Sequence, residues 1–328
     1  MMRKTFIQRA MISLLTLGLV TPGQAYSQQE TISNQPVQLV VGFSAGGPAD
    51  TVARTLAQRF GELLNTSIVV VNRPGADGVL SAGTVARPRP DGHTLLLAPS
   101  TLAINESLYS NLNYDTRKDF VPVGFIGESP NIIAVHPSLP VSNVKELAEY
   151  SKKSGQPLFY GSTSSVTLLA TEMFLLQTGA KMERVPYKGA GQAIPALLSG
   201  EVKTMISSVV TLLPHVQAGT VRAIAVTSKS RLPIAPGIVP AAEQGLNDYS
   251  ASTWYGLFAP AGTPHSIVNQ LATALKETLK DPTIRSVFES QGTIMDSDLD
   301  NPEKFTAFFH DEIDKWKKIV VASGTAKQ

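Results

Sequence analysis

The sequence predicts an α/β protein with mostly parallel sheets flanked by helices. Short β-branched strands alternate with helical apolar spacing from Val37 almost to the C-terminus, the pattern that parallel sheets with helical crossovers require. The middle of the chain repeats the strand–loop–helix logic of its start, with no solenoid period and no low-complexity tract. About 300 residues remain after the N-terminal segment described below, which is room for two cores.

Val37–Val41 is a strand, and a glycine-rich turn, Gly42–Gly47, leads to Pro48 at the first position of a helix. Proline suits that place because its missing N–H would be unpaired there. Val52, Leu56, Phe60 and Leu63/Leu64 then recur at helical spacing. Ser67–Val71 is a second strand, Asn72–Gly78 a loop, Val79–Arg87 a short helix and Thr94–Ala98 a third strand. Ser100 or Thr101 caps a helix to about Tyr109. A charged connection, Tyr114–Val123, precedes extended stretches at Gly124–Gly127 and Asn131–Val135, and Ser142 starts a helix to Ser151. Leu158–Gly161 is a strand, Ser162–Ser165 a hydroxyl-rich loop, and Leu168–Gln177 a helix ended by Gly179. After Arg184–Val185 and the loop to Gly191 comes a helix to Leu198, the strand Val202–Ile206, a helix over 210–218 and the strand Val221–Val226. A proline-rich loop, Leu232–Pro240, leads towards the strand Ser252–Ala259. The helix Pro264–Lys280 has Ile267, Leu271, Leu275 and Leu279 four apart, and helices Pro282–Ser290 and Pro302–Val320 close the chain.

Arg3, Lys4 and Arg9, the apolar run Ala10–Val20 and the small-x-small Gly23-Gln24-Ala25 make residues 1–25 an export signal, too short to span a bilayer. Cleavage would follow Ala25 and leave a soluble mature chain. The absence of cysteine excludes disulfides, thiolate metal sites, a cysteine nucleophile and a lipid-bearing N-terminal cysteine. Lys and Arg total 28 against 26 Asp and Glu. Without the signal the balance is 25 against 26, too neutral for nucleic acid.

A strand passing through Gly46-Gly47 into a helix start aims backbone N–H groups at one spot, where the helix dipole adds positive charge. That is a small-anion cradle, or else a tight connection that binds nothing. Gly42-Phe43-Ser44-Ala45-Gly46 also matches the G-x-S-x-G nucleophile elbow, but only about a dozen mature residues precede the strand, too few for the strands and oxyanion loop a hydrolase needs ahead of it. The Walker lysine and G-x-G-x-x-G are both missing, so no nucleotide cofactor is expected. The five histidines lie tens of residues apart, without metal-ligand pairing. Asp50, in the first helical turn, stabilises the dipole or meets a ligand. Ser162–Ser165 cap a helix or meet a ligand, and Tyr187 and Lys188 are ordinary loop residues or ligand contacts.

Six segments, in order, are similar to the Bug family of periplasmic solute-binding receptors of tripartite tricarboxylate transporters. They are Gly42–Asp50, Val71–Gly78, Pro90–Leu95, Tyr114-Asp115 with Asp119–Val123, Val185–Gly189 and Trp254–Pro264. The resemblance implies a two-lobed Venus flytrap of type II kind that holds a carboxylated ligand between lobes. Residues 36–128 and 252–328 would form lobe one and 129–251 lobe two, with the chain crossing at Glu128–Asn131 and Ser250–Trp254. It also implies ligand contacts at Phe43, Ser44, Ala45, Gly46, Gly47, Ala49, Asp50 and Ser100 in lobe one. In lobe two they would be Ser162, Thr163, Ser164, Ser165, Thr167, Tyr187, Lys188, Gly189, Ser207 and Ser208.

The chain departs from the family pattern where Ser164 replaces a glycine, Leu168 a histidine and Lys203 an aspartate, so the ligand's identity does not transfer. The expected protein is a non-enzymatic, monomeric, periplasmic receptor without cofactor, lipid anchor or metal, delivering a small carboxylate to membrane permease subunits. A serine hydrolase using Ser44, and a sensor of the same fold without transport, are the alternatives.

Overall fold

The structure, a computed structural model, describes residues 31–327 apart from 296 and 300; the expected export signal lies outside the described residues. Two five-stranded mixed sheets, each flanked by helices, form two lobes. The first has the order β2-β1-β3-β10-β4, from β1 (Val37–Val41), β2 (Ile68–Asn72), β3 (Thr94–Pro99), β4 (Phe120–Ser129) and β10 (Thr253–Pro260). The second has the order β7-β6-β8-β5-β9, from β5 (Asn131–Val135), β6 (Leu158–Ser162), β7 (Met182–Pro186), β8 (Thr204–Ser208) and β9 (Arg222–Val226). In each sheet four strands run one way and one, β10 or β5, runs against them. The expectation of mostly parallel sheets therefore holds with one reversed strand apiece.

That reversal follows from how the chain changes sheets. β4 ends at Ser129 and β5 begins at Asn131, so one extended run leaves the first sheet and enters the second. On return, β10 inserts between β3 and β4, pairing Thr253 with Ser129 and Trp254 with Glu128. The two passes are tied together: Asn131 Nδ2 donates to Ala251 O at 2.6 Å, and Asn131 N to Thr227 Oγ1 at 2.9 Å.

The helices are α1 (Pro48–Leu64), α2 (Val79–Val85), α3 (Thr101–Leu108), α4 (Val144–Lys153), α5 (Ser165–Thr178), α6 (Ala190–Ser199), α7 (Val209–Gln217), α8 (His265–Lys280), α9 (Pro282–Ser290) and α10 (Pro302–Ser323). α1 turns Val52, Leu56 and Phe60 into the core that also takes Leu39, Leu271 and Leu275. α10 buries Phe305, Phe309, Ile313, Trp316 and Val320 at three- and four-residue spacing. Its cluster runs on through Trp254 and Phe258 to Leu169, Ala170 and Phe174 of α5, so the last helix packs against both lobes.

Several ends differ from the sequence expectation. The strand read as beginning at Gly124 starts at Phe120, pairing with Pro260 in spite of Pro122 and the charged approach. α4 is capped by Asn143, which accepts from Glu146 N, whereas Ser142 donates its N–H and hydroxyl to Glu146 Oε2. α5 begins at Ser165, three residues early, because Ser164 and Thr167 form a capping box. Ser100 precedes α3 but makes no side-chain cap.

Candidate functional site

The loop from β1 to α1 has its glycine in a left-handed turn: Gly46 sits at φ +79 with open space around its α-carbon. Ser44, Ala45 and Gly46 are exposed, Phe43 and Gly47 half-buried, and Ala49 and Asp50 buried. Two of the expected cradle amides are already used, since Gly46 N donates to Asp50 Oδ2 at 2.8 Å and Gly47 N to Ser44 O at 3.1 Å. The backbone N–H groups of Ser44 and Ala45 make no hydrogen bond among the described residues. Ala49 N–H lies in the unpaired first turn of α1.

Asp50 has a structural explanation. Its carboxylate also takes Arg54 Nε at 2.9 Å and Asn72 Nδ2 at 2.9 Å, and the residue is 2% exposed. The Arg54 bond, helped by Gly46 and Asn72, outweighs burial and lowers its pKa from 3.8 to about 2. Asn72 Nδ2 also donates to Phe43 O at 3.1 Å, clamping the first loop onto the end of β2. Gly42 permits the fit: a Cβ there would strike Ser81 Oγ and lie 2.7 Å from Gly78 Cα.

The β2–α2 loop forms the adjoining wall. Ala76 and Asp77 are left-handed non-glycine residues at φ +47 and +49, and Asn105 Nδ2 holds the Asp77 carbonyl at 3.1 Å. Gly42, Phe43, Asp77, Gly78, Thr101 and Asn105 surround a cavity of about 10 Å³, the size of one water. Asp77 then reaches the second lobe, where its Oδ2 accepts from Ser165 N at the start of α5, 3.0 Å away. Burial and the Asp77 charge together raise the pKa of Tyr109.

In the second lobe most of the expected hydroxyls serve the protein itself. Thr167 Oγ1 accepts from Thr163 N at 3.0 Å and Ser164 N at 3.1 Å, and Ser164 Oγ accepts from Thr167 N at 3.3 Å. Ser162 Oγ takes Arg184 Nε at 2.7 Å. Ser165 Oγ is buried without a partner among the described residues. Leu168 is part of the buried core, so the side chain in the family histidine's place does not face solvent.

Tyr187 directs its hydroxyl to Glu201 at 3.1 Å, Lys188 is exposed, and Gly189 is the residue before α6. Ser207 is buried on β8, and Ser208 Oγ pairs with Thr211 Oγ1 at 2.8 Å. Ser100, fully buried, donates its N–H to Trp254 O at 2.9 Å, and its hydroxyl has no partner among the described residues. The structure thus brings together the first loop, Asp77 and the start of α5. No described hydrogen bond joins Tyr187, Lys188 or Ser207 to them.

The sequence-predicted set omits Asn72, Asp77 and Asn105. The signal for Asp77 is an aspartate flanked by Gly75 and Gly78 in a loop that turns left-handed, where only Gly, Asn and Asp are readily tolerated. Ser44 has no histidine hydrogen-bonded to it among the described residues; His93 Nε2 meets Ser33 Oγ at 2.9 Å and His136 Nδ1 meets Ser138 Oγ at 2.8 Å. No group of three or more metal-ligating side chains occurs among the described residues.

Residues 52–325 match the family described as tripartite tricarboxylate transporter family receptor. Protein BugT of Bordetella pertussis (strain Tohama I) is 33% identical over 317 residues, 95% of each chain. Among solved structures, Rpa4515 of R. palustris with adipate is 32% identical at a TM-score of 0.79, covering 90% of this chain and 99% of that one. MatC (Rpa3494) of Rhodopseudomonas palustris with bound malate is 31% identical at a TM-score of 0.76, covering 87% and 99%.

Proposed function

The chain belongs to the tripartite tricarboxylate transporter receptor family of periplasmic binding proteins, and from that premise we propose that it captures a small carboxylate between its lobes and hands it to a membrane permease. Residues 36–128 with 252–328 form one lobe of this receptor and 129–251 the other. Residues 1–25 direct its export, and no described helix is long and apolar enough to cross a membrane. The protein acts as a monomer and needs no cofactor.

The observation that carries this function is the pair of amides without a partner among the described residues, Ser44 N and Ala45 N, on the exposed loop entering the 17-residue α1. Phe43, next to them, shares a wall with Asp77, which touches the other lobe, so the loop borders the gap between lobes. A ligand carboxylate at that loop accepts from Ser44, Ala45 and Ala49 with the helix dipole behind them. No desolvated arginine is required, since Arg54 is half exposed and occupied by Asp50. The bound adipate and malate of the two structural neighbours support the ligand class. Hinge closure about the paired crossings at Asn131 and Ala251 then brings the α5 side over the ligand.

Isothermal titration calorimetry against a panel of small mono- and dicarboxylates is expected to give saturable binding. Ala45→Asp places a like charge on the exposed loop without touching the core, and weakens that binding roughly tenfold or more. Absence of binding across the panel, or an Ala45→Asp protein that binds as well as the parent, overturns the assignment. Hydrolysis of ester substrates lost in Ser44→Ala would replace it with the hydrolase.

A further inference from the structure

The start of α5 is the natural place in the second lobe for the far end of a bound acid, being the N-terminus of a 14-residue helix. It is already occupied by an acid. Asp77 belongs to the first lobe, 88 residues away in sequence, yet its carboxylate accepts the Ser165 N–H at 3.0 Å. The neighbouring amides offer little in exchange, because Thr163, Ser164 and Thr167 all donate to hydroxyls of the capping box. Among the described residues two polar groups are left over there, the N–H of buried Val166 and the Ser165 hydroxyl, the latter on a residue 4% exposed and without a partner.

The backbone that carries Asp77 is held in place at some cost. Ala76 before it is in the left-handed region, which a glycine would occupy without strain, Asp77 follows in the same region, where aspartate is tolerated, and the Asp77 carbonyl is fixed by Asn105. The strain at Ala76 is spent on a loop that places a carboxylate on the other lobe's helix start.

We propose that Asp77 determines which acids the cleft accepts: its carboxylate takes the place of a ligand's second acid group at the start of α5, so that the bound molecule carries a single carboxylate, held at the α1 loop, and an uncharged tail that meets the Ser165 hydroxyl. A dicarboxylate would set its second charge beside Asp77 and compete for the same N–H, and both effects disfavour it. The inference rests on the carboxylate-receptor function proposed above and departs from the dicarboxylates seen in the two neighbours.

Hexanoate and adipate test it, because they share a six-carbon chain and differ in the second acid group. In calorimetry the purified protein is expected to bind hexanoate roughly tenfold or more tightly than adipate. Asp77→Gly, which suits the left-handed backbone, and Asp77→Asn, which keeps the shape and removes the charge, should each shift the ratio roughly tenfold or more towards adipate. A parent protein that prefers adipate, or a ratio unmoved in both variants while hexanoate still binds, overturns the role of Asp77 and leaves the receptor standing. Binding of neither acid by any of the three proteins overturns this inference, and the receptor assignment then stands or falls by the wider carboxylate panel.

Discussion

Asp50 shows how a residue chosen as a ligand contact becomes part of the frame around the ligand. Three donors converge on a carboxylate that is 2% exposed, and the first of them, Arg54, does most to keep it ionised. Asp50→Asn removes that charge while Arg54, Asn72 and Gly46 still present N–H groups. The expected loss is about 1–3 kcal/mol at neutral pH, read by urea denaturation. The sign of the pH dependence follows from the depressed value. Folding stability from Asp50 is complete above the unfolded value of 3.8 and is lost as pH falls through about 2. The parent should therefore lose stability between those values, and Asp50→Asn should lose measurably less; parallel acid limbs would mean that Asp50 contributes nothing there. Because Asn72 also holds Phe43 O, Asp50→Asn is expected to weaken carboxylate binding through the position of the loop.

At the scale of elements, the start of α5 depends on two hydroxyls. Thr167 Oγ1 accepts from Thr163 N and Ser164 N, whereas Ser164 Oγ accepts from Thr167 N at the longer 3.3 Å. Ser164→Ala is expected to cost about 1 kcal/mol and Thr167→Ala about 2 kcal/mol in urea melts, with the double variant losing less than the sum because the box acts as a unit. Equal single losses that add would show two independent caps. The same helix shows what the sequence conveys and what it withholds. Apolar periodicity placed β1 and α1 at Val37–Val41 and Pro48–Leu64, since one face of each is buried and the pattern records it. Hydroxyls at a helix start read equally well as loop, so the pattern starts α5 at Leu168, whereas the helix begins at Ser165. The reversed direction of β5 and β10 leaves no trace in a two-residue alternation, because both directions bury the same residues. The first loop was legible as glycine, proline and helix. The Asp77–Ser165 contact was not, because it joins two lobes and depends on how they close.

At the scale of the whole molecule, an acid from the last helix joins Asn131 in tying the crossings between lobes. Glu312 is buried, and its Oε2 accepts from Trp254 Nε1 at 2.9 Å and Trp316 Nε1 at 3.0 Å. Its other oxygen binds Lys315, whose ammonium also reaches Ser250 O at 3.3 Å and lies 4.4 Å from the Trp316 ring. Ser250 precedes the return strand and Trp254 lies on it, so Glu312 ties α10 to the pass between lobes. Glu312→Ala leaves two buried indole N–H groups without an acceptor and a partly buried ammonium with Ser250 O and no counter-charge, at an expected cost of about 3–5 kcal/mol. Glu312→Gln keeps one oxygen for the indoles and should cost about 1–2 kcal/mol. Both tryptophans of the protein meet this carboxylate, so its intrinsic fluorescence reports the crossing directly. The urea midpoint should fall in the order parent, Glu312→Gln, Glu312→Ala, and the native emission should shift to the red in the alanine variant as water reaches the indoles. An unchanged midpoint and emission would show that aromatic packing alone holds the crossing: Trp254 lies 6.0 Å from both Phe305 and Phe309. Should Glu312 hold the crossing, a saturating carboxylate that closes the hinge moves Ser250 relative to α10, and the same fluorescence follows the titration without any added label.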